Sequence, residues 1–163
     1  GLMSGFTGAG ILPTTVTTAV QGPQVPLGFE LTVPNGNNGF QTWVYVEAGA
    51  ALEEGIAAMR TNATTEYKCV VATALVPNIR IMGVAQHDIA SGSFGFVLKR
   101  GLGEVQAGDT DNDQANSPLV VHNASGQADV MAATNEEDAV FAFSTESVAA
   151  AGNKMTCWIN CAG

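Results

Sequence analysis

No lysine or arginine occurs before Arg60, and no charged side chain of either sign before Glu30. Nucleic-acid recognition needs clustered cations to neutralise phosphates. Six basic against fifteen acidic side chains, a net charge of −9, therefore argue against nucleic acid as a partner. Such a surplus keeps a crowded protein soluble and discourages self-association away from its intended site. Long apolar runs are missing too. None approaches the ~18 residues of a membrane span, and the opening GLMSGFTGAGILP lacks both the charged and the continuous apolar region of a secretory leader. No membrane is expected, and synthesis in a cytoplasm is. Cysteine is scarce and odd in number: Cys69, Cys157 and Cys161 do not suit a disulfide framework and do suit a reducing compartment.

What is present is glycine, with threonine, valine and alanine. Nineteen glycines and a charged fraction of 13%, about half the usual ~25%, favour turns and strands over helices. A chain of 163 residues suits one domain, or one domain with an arm, and can bury about 70% of its unfolded surface.

The chain is organised around Ile81–Gln106, which reads as two strands joined by a tight turn at 90–93, then a third strand after a glycine. Phe94, Phe96 and Leu98 alternate with Gly95, Val97 and Lys99 at the two-residue period of a half-buried strand. Gly101 and Gly103 flank Leu102 where a bulge or a close backbone crossing needs no Cβ. Phe40–Glu47 reads as a strand buried on both faces. Ala48–Arg60 is the one stretch whose composition suggests a helix, since Ala, Leu, Glu and Met favour it, but Gly49 and Gly55 each cost a helix about 1 kcal/mol; a turn, with at most one helical turn, and then a strand is expected. Further strands are expected at Glu66–Ala74, Asn78–Ala85, Pro118–Val121, Asp129–Ala132, Val140–Phe143 and Met155–Cys161. About ten short strands separated by turns imply a barrel or a sandwich.

Residues 1–29 are different in kind. They carry Phe6, Ile11, Leu12, Val16, Val20, Val25, Leu27 and Phe29 among Gly, Thr and Pro, without a charge. Disorder is normally maintained by high charge and low hydrophobicity, and Pro13, Pro23 and Pro26 prevent a helix. An extended arm laid on a partner is expected, the other possibility being a strand or loop packed on the same subunit. The turn cluster at 34–39 marks the boundary, giving an arm over 1–39 and a β-rich body over 40–163.

The segments GVAQ, DIA, SFGFV and RGLGEVQAG between Gly83 and Gly108, preceded by WVYVEAGAALEEG at Trp43–Gly55, resemble the small head decoration (cement) proteins of tailed bacteriophages. The likeness covers Thr42 to Val121, about half the chain. It implies a small β-tulip-like barrel, with a jelly-roll sandwich as the alternative. It also implies a homotrimer on the outer surface of an icosahedral head, bound to the major capsid protein and stabilising the expanded, DNA-filled shell. The eight apolar arm residues named above are the candidate capsid contacts, and Phe94 and Phe96 the candidate subunit interface. A receptor- or glycan-binding adhesin or head-fibre module is the competing reading, and it predicts an exposed aromatic platform.

No catalytic residue, cofactor or metal is expected. Asp109, Asp111 and Asp113 have the spacing that opens a calcium loop, but Gln114 stands where the loop needs glycine and Val120 where it needs a bidentate glutamate. A solvated acidic loop is the plainer reading. Cys157 and Cys161 share a strand face with Met155 and Ile159, and with Cys69, His87 and His122 scattered elsewhere they read as buried thiols rather than zinc ligands. Ser91 and Ser93 lie in a turn without a nucleophile elbow, and His87 with Asp88 reads as a hydrogen-bonding turn pair. Lys99 and Arg100 read as a solvated strand end, or as cations meeting an acidic capsid surface. The sequons at Asn62 and Asn123 read as loop sequences without significance.

Overall fold

The computed structural model describes residues 12–61, 66–108, 115–148 and 150–163. Ten strands follow in chain order: β1 (Glu30–Pro34), β2 (Phe40–Ala48), β3 (Ala57–Arg60), β4 (Lys68–Val71), β5 (Ile81–Ala85), β6 (Phe94–Gln106), β7 (Pro118–Val121), β8 (Ala128–Val130), β9 (Ala142–Ser144) and β10 (Lys154–Asn160). Short 3-10 turns at Gly36–Asn38, Asn78–Arg80 and Thr134–Ala139 complete the regular structure among the described residues. The mainly β expectation is met. The strands form one connected sheet in the order β1-β2-β4-β3-β5-β6-β10-β9-β7-β8, not the two sheets of a jelly roll.

Curvature comes from β2, which pairs with β4 at one end and with β6 along most of its length. The five strands β2-β4-β3-β5-β6 thereby form a partial ring, whose β2–β4 seam is only two residue pairs long and is supported by Lys68 Nζ against Glu47 Oε2 at 3.6 Å. Each ring strand gives small side chains to one cluster, among them Val44, Val46, Ala58, Cys69, Ala85 and Val97. Leu52, Met82 and Ile89 fill the rest of that cluster. The larger cluster holds Trp43, Tyr45, Phe96, Leu98, Leu119, Phe141 and Met155, and draws on β1, β2, β5, β6 and the four strands β7 to β10. Each of these large side chains contributes about 1.5–3 kcal/mol by leaving water.

The central hairpin forms as expected, with β5 and β6 antiparallel, but no third strand begins after Gly101. The chain runs on through it as one 13-residue strand. Gly101 adopts φ +118°, and a Cβ there would sit 2.7 Å from the Phe40 carbonyl oxygen. A bulge lies just before it: Thr42 opposes Arg100 while Trp43 opposes Leu98, which leaves Lys99 as the extra residue. One extra residue on β6 lets its first half pair with the ring and its second half with β10. The glycine thus serves the close backbone crossing with Phe40 and does not end the strand.

Cys157, Cys161, Met155 and Ile159 share the buried face, as the period-two reading requires, and none of the three cysteines forms a disulfide within the chain. The His87–Asp88 turn pair does not form. Asp88 Oδ1 instead accepts the Glu54 N–H at 3.0 Å, and His87 Nε2 is buried with no hydrogen-bond partner among the described residues. Burial holds the His87 pKa below its ordinary value, partly offset by the Asp88 and Glu54 charges. The acidic loop at 109–113 and the Asn62 sequon lie outside the described residues.

Candidate contact surfaces

The segment before β1 is fastened to its own body. Thr17 and Phe94 exchange backbone hydrogen bonds at 2.9 and 2.8 Å, adding a one-residue rung to the free side of β6. The Tyr45 hydroxyl reaches the same segment, lying 3.3 Å from Thr17 Oγ1 and accepting the Gln24 N–H at 3.2 Å. Further along, the Gly28 N–H donates to the Tyr45 carbonyl, and the Tyr45 N–H to the Phe29 carbonyl. Glu30–Pro34 then joins the sheet as β1, in register with Phe40–Val44. A segment with little charge and many threonines can do this because its hydroxyls and backbone groups supply the bonds that charges would otherwise pay to desolvate.

This fastening sorts the eight candidate arm residues. Phe6 and Ile11 lie outside the described residues. Val25, Leu27 and Phe29 pack against the larger core, so they belong to the fold itself. Leu12, Val16 and Val20 remain exposed, Val20 at 98%. Val20 stands at the tip of a turn closed by Thr18 and Gln21, in which the Thr18 N–H donates to Gln21 Oε1 and the Gln21 N–H to Thr18 Oγ1. The two aromatic candidates separate as well. Phe94 is half-buried beside Thr17, whereas Phe96 is fully buried, its ring 5.0 Å from Tyr45 and 6.5 Å from Phe29. A ring without exposed surface cannot touch a neighbouring subunit, so Phe96 is a core residue.

A second surface was not singled out from the sequence. Leu102 on β6 opposes Trp158 on β10, Trp158 opposes Phe143 on β9, and Phe143 opposes Pro118 on β7. Directly opposed residues project to the same side of a sheet, so these four form a row across four strands. Trp158 is 47% exposed and Phe143 51%. One signal was available: if Met155, Cys157 and Ile159 face inward, Trp158 must face out. What the sequence does not contain is that Phe143 and Leu102 lie on either side of it.

Glu104 and Glu146 border this row. Glu104 Oε2 accepts the Thr156 hydroxyl at 3.1 Å, and Glu146 Oε2 accepts the Thr156 N–H at 2.8 Å. Hydrogen bonds from the Thr156 backbone and hydroxyl hold the Glu146 pKa below its ordinary value.

The fold has a counterpart among solved structures. This fold is similar to the base of a phage head fibre. One match is to the N base of head fiber gp8.5 of bacteriophage phi29, with a TM-score of 0.56 over 74% of this chain and 94% of that one, at 15% identity. At that identity the likeness concerns the fold. No family model and no curated protein matches the chain.

Proposed function

We propose that this chain is a structural virion protein that binds the outer surface of an icosahedral phage head. There it stabilises the expanded, DNA-filled shell by bridging subunits of the major capsid protein. The carrying observation is the fold shared with the N base of the phi29 head fiber, over nearly all of that domain's length. The resemblance of Trp43–Gly108 to head decoration proteins points the same way. The protein is made in the host cytoplasm, works without a cofactor or nucleic acid, and assembles as a homotrimer.

The mechanism is linkage. A ligand that binds the assembled shell and not its free subunits stabilises the shell by about 2.7 kcal/mol per site at a hundredfold excess over Kd. Three copies held on one body add avidity, because each further contact becomes intramolecular. Leu12, Val16 and Val20, exposed and uncharged on a segment anchored through Thr17 and Tyr45, supply the apolar contact. The anchoring matters energetically, since a segment ordered before binding loses less conformational entropy when it docks.

The test is co-sedimentation with expanded heads stripped of surface proteins. A Leu12→Asp, Val20→Asp double variant is expected to stay folded and to lose head binding. If it coats heads as the unaltered protein does, the segment has no such role. A receptor- or glycan-binding head-fibre module is the second reading, favoured by the exposed Phe143–Trp158 pair. Retention of a defined sugar on a glycan array, with no binding to heads, would decide for it.

A further inference from the structure

The aromatic row is bordered by charges of opposite sign. Along β6, Glu104 lies two residues to one side of Leu102 and Arg100 two residues to the other, opposite Thr156 and Asn160 of β10. Glu146 adds to the acidic end through its hydrogen bond to Thr156. Arg100 is exposed and has no ion-pair partner among the described residues. Lys154, further along the same face beyond Thr156, is already paired with Glu54 at 3.6 Å.

We propose that this face is where a second copy of the chain docks, about a rotation axis running along the row from Leu102 to Pro118. The inference deepens the homotrimer reading above and rests on it. A rotation about that axis keeps each residue's position along the row and turns the strand direction over. The aromatic rows therefore meet, and the Arg100 end of one copy falls against the Glu104 end of the next. A two-fold axis does this outright; a three-fold turns the strands by a third of a revolution and makes a triangular prism, with the three rows inside and the Arg100 edge of each face meeting the Glu104 edge of the next. Other occupants use less of the surface. A neutral glycan would stack on Trp158 and Phe143 and leave both charges idle, and an acidic partner would meet Glu104 and Glu146.

The size of the face sets the strength. Four strands at about 4.8 Å spacing and the seven residues of β10 at about 3.3 Å each give roughly 19 by 23 Å, or about 440 Å². Stable complexes bury about 800 Å² per partner. Association in free solution is thus expected to depend on concentration, and to be completed where the shell holds copies side by side.

The experiment is sedimentation velocity on the full chain without heads, over a wide concentration range. The unaltered protein is expected to pass from monomer to oligomer. A Trp158→Ser, Phe143→Ser double variant is expected to stay monomeric at an unchanged melting temperature, since both side chains are half in water already. Arg100→Glu is expected to weaken association about tenfold, and adding Glu104→Arg in the same chain to restore it. An oligomer untouched by the double variant, or a charge exchange that restores nothing, overturns the assignment of this face while leaving the homotrimer standing. An unaltered chain that remains monomeric up to millimolar overturns the homotrimer and the face together, and head co-sedimentation still judges shell binding separately. A glycan retained by the unaltered monomer and lost by the double variant gives the face to sugar and refutes self-docking.

Discussion

Replacing Phe96 with alanine separates a core residue from an interface residue in a single measurement. Phe96 has no exposed surface and makes tilted and edge contacts with Tyr45 and Phe29, which are among the residues that hold the segment before β1 to the body. Truncating a buried phenylalanine costs about 3–5 kcal/mol, part of it from the cavity that surrounding side chains cannot close. Two ring–ring contacts at about 0.5–1.5 kcal/mol each place the value in the upper half of that range, about 4–5 kcal/mol. For a chain of this length that is a melting temperature lower by roughly 8–20 °C, at about 2–4 °C per kcal/mol. With a guanidinium m-value of about 4 kcal/mol/M, the midpoint moves by about 1 M. The assay is guanidinium unfolding at a dilution where the protein is monomeric, followed by tryptophan fluorescence, with Phe94→Ala as a half-buried comparison that costs less. If Phe96→Ala left the monomer's midpoint within about 0.5 kcal/mol of the unaltered protein while abolishing association, the ring would be an interface residue and its placement in the core would be wrong.

Two further outcomes follow from the same geometry. Tyr45→Phe removes the hydroxyl that accepts from Gln24 and meets Thr17, which is expected to cost about 1–3 kcal/mol and to be felt locally. Hydrogen exchange of residues 17–24 should rise while β10 stays protected, and unchanged exchange there would show that the backbone bonds to Phe94 suffice. Burial lifts the thiol pKa of Cys69 and Cys161 from 9.0 to about 12. Above pH 9 the unfolded chain ionises these thiols and the folded one does not, so stability is level below pH 9 and falls between pH 9 and about 12. Unfolding midpoints on either side of pH 9 check the sign, and alkylation below pH 9 should label neither thiol until the chain unfolds.

Much of the sheet was legible because its strands obey local rules. Pro118–Val121 is β7 at the residues expected, and Phe40–Glu47 and Met155–Cys161 are β2 and β10 to within a residue or so. Alternation and turn residues carry that information, and both are properties of neighbours in sequence. Glu30–Pro34 is put in the arm because the turn cluster at 34–39 reads as the boundary of the body. Its membership of the sheet comes from five cross-strand partners in β2, and pairing is decided by what lies opposite. Phe96 was misplaced for the reverse reason. Alternation says that it faces the same way as Phe94, but not that Phe29 and Tyr45 close over it.

Composition and period by themselves determined a mainly β chain with a polar, acidic surface, an uncharged leading segment and an inward cysteine face on its last strand. These follow from free energies that each residue and its near neighbours set alone: turn preference, burial of alternate side chains and the cost of desolvating charge. Only the tertiary structure decided that five strands come round into a partial ring, that the leading segment is tied down through Tyr45, and that Leu102, Trp158, Phe143 and Pro118 line up. Each of those depends on register between strands far apart in sequence. A shift of one residue would turn that row to the other face, and nothing local records which register wins.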